Sequence, residues 1–171
     1  MMNATFFSHS LFYGTMLSAV FTILILGSLY INPEMWLGDA PREVQEKHGP
    51  MSARAKRQRV WLVVAFVITI IGVVGVSLYQ LPAVMGGPLT FLTVFAHLWI
   101  MFMLFNLVDL LLIDWLIVEF MRPAFIVQSG LGQLMAERNY WFHFQGFLKG
   151  SVGILIVSLL LAGLIMLWLA L

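Results

Sequence analysis

One apolar stretch in the second half of the chain contains five side chains that can bind a proton, a cation or a polar ligand. They are spread along a run of about residues 89–120, at His97, Asn106, Asp109, Asp114 and Glu119. Carboxylates inside an apolar run are costly, and such groups are usually partnered or functional. The pattern therefore predicts a polar site on this segment.

The spacing of these residues on an α-helix suggests which of them act together. Asn106 and Asp109 are about 60° apart and share a face, whereas Asp114 lies about 140° from Asp109. We therefore expect the two aspartates to face different neighbours, which argues against a metal clamp formed by this helix alone. Asp109 is the carboxylate expected to bind a proton or ligand, with Asn106 beside it.

Further polar residues are expected at the same membrane boundary. The predicted cluster at the cytoplasmic edge consists of Asn106, Asp109, Asp114, Glu119, Arg122, His143 and Lys149, with Asp39 nearby. Two interpretations stay open: an ion-paired girdle that fixes the helix ends, or a polar cavity that opens to the cytoplasm. The residue types would suit a metal, but no recognised ligand spacing occurs, so no metal site is assigned.

His97 is the only histidine expected deep inside a predicted span. A bis-histidine haem requires a second histidine at the same depth, whereas His9 is expected at the outer surface and the other two in cytoplasmic segments. His97 is thus a weak candidate for cofactor binding, and a helix–helix hydrogen bond is its expected role. The chain has no cysteine, which excludes iron–sulfur clusters, and no cofactor is assigned.

Four long apolar runs must position these residues, and they predict an all-α membrane protein. The chain of 171 residues is 61% hydrophobic and 10% charged, against about 25% charged residues in a soluble domain. As helices, the runs are long enough to cross about 30 Å of hydrocarbon. The prediction is one domain, 1–171, a transmembrane four-helix bundle with helices at about 10–32, 59–80, 89–120 and 150–171.

The positive charges predict the orientation of this bundle. All nine Lys and Arg residues lie in or at the edge of two stretches, 33–58 and 121–149. Basic segments are retained on the cytoplasmic side, so both termini are predicted on the non-cytoplasmic side of a bacterial inner (plasma) membrane. Anionic lipid headgroups of the bilayer are the expected partners of these charges, and nucleic acid is not.

The third run is longer than a bilayer requires. From Leu89 to Phe120 it would measure roughly 48 Å as a straight α-helix, so its last turns are expected to emerge into the cytoplasm. An apolar segment that projects in this way must be covered. The candidates are the region of Trp36 and Leu37, the aromatic stretch 140–147, or another subunit.

Several local features are predicted from turn and capping residues. A first helix should end at Asn32-Pro33, a short helix should follow over about 41–47, and Ser52 should cap the second spanning helix. Residues 81–88 are expected to form a loop, and the aromatic stretch 140–147 to lie along the inner interface. A turn is expected at Ser129-Gly130 and Gly132, and the small pairs Gly14/Ser18 and Gly146/Gly150 would permit close helix packing.

Three motifs give the chain a resemblance to a family. They are Asn32-Pro33-x-x-Trp36-Leu37-x-Asp39-x-Pro41, Phe105-Asn106-Leu107-x-Asp109-Leu110-x-x-x-Asp114-Trp115, and Tyr140-Trp141-Phe142-His143-Phe144-x-Gly146-Phe147-x-Lys149-Gly150. Together they resemble an uncharacterised family of small bacterial four-helix membrane proteins. That resemblance implies a fold and a location but supplies no activity and no catalytic residue.

The sequence leaves three functions open. The absence of any recognised catalytic motif favours a non-enzymatic accessory or assembly subunit of a membrane complex, with other membrane subunits or a second copy as partner. The first alternative is a small proton-coupled carrier or channel that uses Asp109. The second alternative is an enzyme that acts on lipid headgroups at the inner leaflet.

Overall fold

The computed structural model describes residues 2–127 and 138–171, and within these ranges all regular structure is helical, without a strand. The elements, in chain order, are α1 (Ala4–Ile31), a 3₁₀ helix (Pro33–Asp39), α2 (Arg42–His48), α3 (Ala53–Met85), α4 (Phe91–Val108), a π-helix (Asp109–Met121), α5 (Ala124–Val127) and α6 (Tyr140–Leu169). The helices Ala4–Ile31, Ala53–Met85, Phe91–Met121 and Tyr140–Leu169 are long and apolar enough to cross a membrane. The prediction of an all-α, multi-pass membrane protein is confirmed.

Helix α1 ends where the sequence predicted but begins earlier. Asn3 accepts a hydrogen bond from the backbone N–H of Phe6 (3.0 Å), which caps the helix before Ala4. The expected start near residue 10 was therefore wrong, because the polar residues Ser8, His9 and Ser10 lie inside the helix. At the other end, Asn32 leaves helical geometry and Pro33 begins the 3₁₀ helix.

Helix α3 is longer than predicted at both ends. Ser52 caps it as expected, by accepting a hydrogen bond from the N–H of Ala55. The predicted loop at 81–88 is wrong over its first five positions, since the helix continues through Pro82 to Met85. The side chain of Leu81 in this last turn is fully buried. The helix ends at Gly86, whose φ of 67° lies in the left-handed region.

Helix α6 begins ten positions before the predicted start at residue 150. Asn139 accepts a hydrogen bond from the N–H of Phe142 (3.0 Å) and so caps the helix. The aromatic stretch 140–147, expected along the interface, consequently forms the first turns of α6. The turn expected at Ser129-Gly130 and Gly132 lies outside the described residues.

The packing places α1 and α4 next to each other. Helix α1 contacts both α3 and α4, and α6 contacts α4. A Cβ atom on Gly14 would lie 3.1 Å from the Cα of Met101, so this glycine permits the close approach of α1 to α4. Midway along the helices the ring of Phe21 contacts those of Phe66 and Phe105, each at a centroid distance of 4.7 Å.

The two ends of the structure differ in their charge. We call the end formed by the 3₁₀ helix, the π-helix and the first turns of α6 the charged end. The opposite end contains the start of α1 and the turn between α3 and α4, and we call it the uncharged end. The candidate functional residues divide between these two ends.

Candidate functional site

A cavity of ≈ 390 Å³ lies at the charged end, between α1, the 3₁₀ helix, the π-helix and α6. Its polar lining comes from five side chains: Asp39, Asn106, Asp109, Asp114 and His143. The rest of the lining is mainly aliphatic and aromatic, and includes Ile25, Leu29, Ile113, Trp36, Phe142 and Phe147. Cavities that combine an apolar wall with a few convergent polar groups are typical of ligand sites.

The π-helix explains how the acids reach this cavity together. From Asp109 onward the backbone bonds run between residues five apart, as in the bond from the N–H of Arg122 to the carbonyl of Ile117 (3.0 Å). Residues five apart are therefore neighbours on the surface of this helix, and Asp109 and Asp114 both line the cavity. The expectation that Asp109 and Asp114 face different neighbours was wrong, because it assumed α-helical winding.

His143 joins α6 to two of these acids. Its Nδ1 lies 3.1 Å from Oδ2 of Asp114, and its Nε2 lies 3.0 Å from Oε1 of Glu119. All three side chains are largely buried, with Glu119 only 5% exposed. Glu119 does not line the cavity and contacts it only through His143. This arrangement is one element of the ion-paired girdle.

Asn106 ties α4 to α6 beside the acids. Its Nδ2 donates to the carbonyl of Phe147 (3.1 Å) and to the hydroxyl of Ser151 (3.0 Å). A Cβ atom on Gly150 would lie 2.8 Å from Oδ1 of Asn106, so the glycine leaves room for this amide. As predicted, Asn106 and Asp109 share a face, since both line the cavity.

The 3₁₀ helix forms one wall of the cavity and is held by neighbouring elements. Arg59 of α3 pairs with Asp39 (Nη2 to Oδ2, 3.0 Å) and donates to the carbonyl of Met35 (3.1 Å). Trp36 donates its Nε1–H to the hydroxyl of Ser28 on α1 (2.9 Å). These bonds fix the position of Asp39 and Trp36 at the cavity.

The apolar end of the third span is covered on this side by parts of the same chain. Ile113 packs with Ile25, Leu29 and Trp36. Trp115 donates to the carbonyl of Tyr140 (3.3 Å). Two of the three predicted covering segments, the region of Trp36 and the aromatic stretch 140–147, therefore contribute.

Two predicted residues lie elsewhere. Arg122 ends the π-helix in a left-handed conformation with φ of 46°, followed by Pro123. Lys149 is exposed on α6 and does not line the cavity. Of the predicted edge cluster, four residues line the cavity: Asn106, Asp109, Asp114 and His143. Glu119 does not line it but contacts His143.

A second polar cluster surrounds His97 at the uncharged end. His97 is fully buried, and its Nδ1 and Nε2 lie 2.8 Å and 3.0 Å from the hydroxyls of Ser10 and Ser77. The helix–helix hydrogen bond expected for His97 is therefore present, and it joins α1, α3 and α4. We call Ser10, Ser77, His97 and His9 the His97 cluster.

His9 belongs to this cluster, contrary to the prediction that it lies at the outer surface. Its ring stacks on that of His97 at a centroid distance of 5.3 Å, and its Nε2 lies 3.0 Å from the carbonyl of Ser77. The error follows from the late start predicted for α1. Because the two rings contact each other directly, a haem iron has no space between them.

Sequence reasoning missed the pairing of His143 with two acids, although a signal was present. The equal intervals of five residues from Asp109 to Asp114 and from Asp114 to Glu119 fit i→i+5 winding. Within residues 2–127 and 138–171, no group of three or more His, Cys, Asp or Glu side chains has an arrangement that could hold a metal ion.

Comparison with known protein families, with curated proteins and with solved structures finds no match. The resemblance to an uncharacterised family of bacterial membrane proteins stays a prediction, and the function is argued from the cavity.

Proposed function

We propose that the chain is a small proton-coupled carrier whose ligand site is the cavity at the charged end, with Asp109 as the carboxylate that binds ligand or proton. One observation carries this proposal: Asp109 faces the cavity, and no hydrogen bond from the described residues reaches its carboxylate. A carboxylate in a largely apolar wall requires a proton or a cation for compensation.

The girdle interpretation accounts for the other acids but not for Asp109. Asp114 and Glu119 contact His143, and Asp39 pairs with Arg59. These contacts link helix ends and are sufficient as structure. Among the described residues, Asp109 has only longer-range electrostatic interactions, with Asp114 and His143, so a purely structural role leaves its position unexplained.

The direction of the cavity supports a carrier with one side open. The segments at the charged end hold the nine basic residues, so we place this end in the cytoplasm and both termini outside a bacterial inner membrane. The middle of the helices is closed by Phe21, Phe66 and Phe105, and the uncharged end is held by the His97 cluster. Transport requires both closures to open in turn.

The test is solute-driven proton movement in liposomes. Purified protein is reconstituted with a pH-sensitive dye inside, and a panel of cationic, neutral and anionic solutes is added outside. We expect at least one solute to cause a proton flux that Asp109→Asn reduces to the level of empty liposomes. Glu46→Gln, which changes an exposed carboxylate of α2 in the same way, is the matched control and should retain the flux.

A panel in which no solute produces an Asp109-dependent flux would contradict the proposal. If Asp109→Asn instead fails to accumulate in the membrane, the acid is structural. In that case Asp109→Glu, which keeps the charge, should restore accumulation without a solute-dependent flux.

A second candidate function is an accessory subunit of a membrane complex, and the exposure of α6 favours it. Within the most apolar window of α6, 11% of residues are buried, against 33% for α1. This face is available to lipid or to another subunit. Extraction in mild detergent should then recover a stoichiometric partner, and a lone, monodisperse chain would count against it.

A further inference from the structure

The two contacts of His143 with carboxylates determine how many protons the three side chains must share. A carboxylate without its proton can only accept hydrogen bonds, so each ring nitrogen of His143 needs a proton on its contact with Asp114 or Glu119. A neutral imidazole carries one ring proton. The second proton must therefore lie either on the ring or on one of the two carboxyl groups. We call it the second proton of the Asp114–His143–Glu119 group.

The cavity beside this group has the composition of a site for an organic cation. Its charged lining consists of carboxylates and His143, and Asp39 is the only one of these carboxylates paired with an arginine among the described residues. The aromatic rings of Trp36, Phe142 and Phe147 also line it. Carboxylates with aromatic faces suit a cation that has an apolar body, since the rings add cation–π attraction. Among the described residues, these side chains do not form a group that could hold a metal ion.

We propose that the cavity binds a small organic cation at Asp109 and Asp114, and that each cation bound displaces the second proton of the Asp114–His143–Glu119 group to water. This inference rests on the proposed function and names the substrate class and the coupling of that carrier. One positive charge enters and one leaves, so the charge of the cavity stays constant. That balance matters because an uncompensated charge is costly at a buried site.

The exchange of a proton for a cation follows from the position of Asp114, which can contact either His143 or the bound cation. A cation that binds between Asp109 and Asp114 draws the Asp114 carboxylate away from Nδ1 of His143. The imidazole then has one acid partner, Glu119, and a neutral ring with a single N–H satisfies that contact.

Of the other charged groups around His143 in the described residues, Asp109 alone could also release a proton when the cation binds, and the Glu119→Gln variant, which leaves Asp109 unchanged, separates the two sources. Asp39 reaches the cavity from the 3₁₀ helix and is paired with Arg59 of α3. On α6 itself, Lys149 is exposed and outside the cavity lining. Arg122 follows Glu119 at the end of the π-helix and does not line the cavity.

The experiment counts protons by calorimetry. Benzyltrimethylammonium is titrated into the full chain in lipid nanodiscs at pH 7, in phosphate and in HEPES, which differ in ionisation enthalpy and carry no net positive charge. This cation has no proton of its own, so the difference between buffers gives the protons released by the protein. We expect about one proton per bound cation and, for Asp109→Asn, an affinity reduced by at least about tenfold, the size of a ~1.4 kcal/mol loss.

Two variants isolate the second proton. In Glu119→Gln the amide can either donate or accept, so a neutral His143 satisfies both contacts. Cation binding should persist while proton release falls close to zero. His143→Gln is the second variant and should give the same result, and Glu46→Gln should retain release of about one proton. Elution at the wild-type volume in size-exclusion chromatography establishes that each variant is folded.

The outcomes separate this inference from the proposed function. Binding without proton release overturns the exchange, and unchanged release in folded Glu119→Gln overturns the assignment to this group. Tighter binding of the neutral control benzyl alcohol, or no binding of the cation, overturns the substrate class. The carrier itself stands or falls on the Asp109-dependent flux from the solute panel.

Discussion

The two ends of the structure each contain a buried histidine that joins helices, but the partners of these histidines differ in kind. His97 contacts the hydroxyls of Ser10 and Ser77, whereas His143 contacts the carboxylates of Asp114 and Glu119. A hydroxyl can donate or accept, so a neutral His97 is satisfied at both nitrogens. A carboxylate without its proton can only accept, so the contacts of His143 require one proton more.

The comparison shows that the partners of a histidine, more than its depth, decide what it can do. Depth alone singled out His97 in the sequence, and the structure gives it a set of neutral partners that hold helices together. His143 was expected nearer the membrane boundary, yet it adjoins a cavity and contacts two acids. The charged end is therefore the one for which we propose proton exchange with a ligand.

Removing each histidine gives the sharpest test of this difference. We expect His143→Ala to lower the free energy of unfolding by about 3–5 kcal/mol, because the buried Glu119 loses its partner. His97→Ala also removes a buried ring, but its polar partners lose only about 1–3 kcal/mol, because Ser10 and Ser77 keep their hydrogen bonds to the carbonyls of Phe6 and Val74. Unfolding by denaturing detergent, followed by circular dichroism, measures both losses.

An equal or larger loss for His97→Ala would remove the distinction. It would show that the neutral cluster contributes as much as the charged one to helix association. Expression level is compared in parallel, so that a variant that does not fold is scored as the larger loss.

The contact between α4 and α6 beside the cavity provides a smaller test. In Gly150→Ala the new methyl group would meet Oδ1 of Asn106, so the amide must shift and its bonds to Phe147 and Ser151 weaken. We expect a cost of about 1 kcal/mol, the size of one hydrogen bond, together with weaker cation binding. Gly153→Ala is the matched control, since a Cβ atom there meets nothing within 4 Å.

For Gly153→Ala the expected change is neutral or slightly stabilising, because alanine favours helix more than glycine does. If Gly150→Ala and Gly153→Ala have the same free energy of unfolding and the same cation affinity, the close fit of Gly150 to Asn106 does not contribute to stability or to binding. The charged end would then depend on His143 alone.

The smallest effect is expected at a carboxylate that lies outside the spanning helices. Ser52 donates its hydroxyl and its backbone N–H to Glu34, and these hydrogen bonds hold the pKa of Glu34 below its usual value of 4.5. A lowered pKa gives stability that is present above pH 4.5 and is lost as the pH falls through the folded-state pKa. Hydrogen–deuterium exchange of residues 33–52, corrected for the intrinsic rate, should therefore increase in acid.

Glu34→Gln should show the faster exchange already at pH 7 and a weaker dependence on pH. Glu43→Gln, at an exposed position on α2, is the control and should follow the wild type. A wild-type segment that exchanges equally at pH 7 and in acid below the folded-state pKa of Glu34 would show that the Ser52 contact contributes nothing measurable.

Much of the fold could be predicted because it follows from strong local signals. The spanning helices follow from apolar length, the cap at Ser52 from its side chain, and the end of α1 from Pro33. The start of α6 could not be placed, because His143, Gln145 and Lys149 lower the hydropathy of turns that are nevertheless helical. The start of α1 was missed for the same reason, because the polar residues Ser8, His9 and Ser10 lie within the helix.

The sequence identified most residues of the candidate site but not how they are arranged. Asn106 and Asp109 share a face in α-helical winding, and the structure agrees with that part. The alignment of Asp114 with Asp109 depends on the hydrogen-bond register of Asp109–Met121, which composition does not determine. The partners of His143 lie on a distant part of the chain, so the five-residue spacing of the acids could indicate i→i+5 winding but not the histidine that pairs with them.

Asp109 and Asp114 form an acidic wall of the cavity because Asp109–Met121 is wound as a π-helix. This wall therefore depends on the winding of the segment as well as on its composition. If this segment tightened to four-residue steps with its sequence unchanged, Asp114 would turn about 140° from Asp109 and leave the wall. Conversely, a relative with one residue fewer between successive acids would build the same wall on an ordinary α-helix. A change of winding confined to Asp109–Met121 thus suffices to assemble or disperse the carboxylates, provided that the segment after Met121 rotates with it.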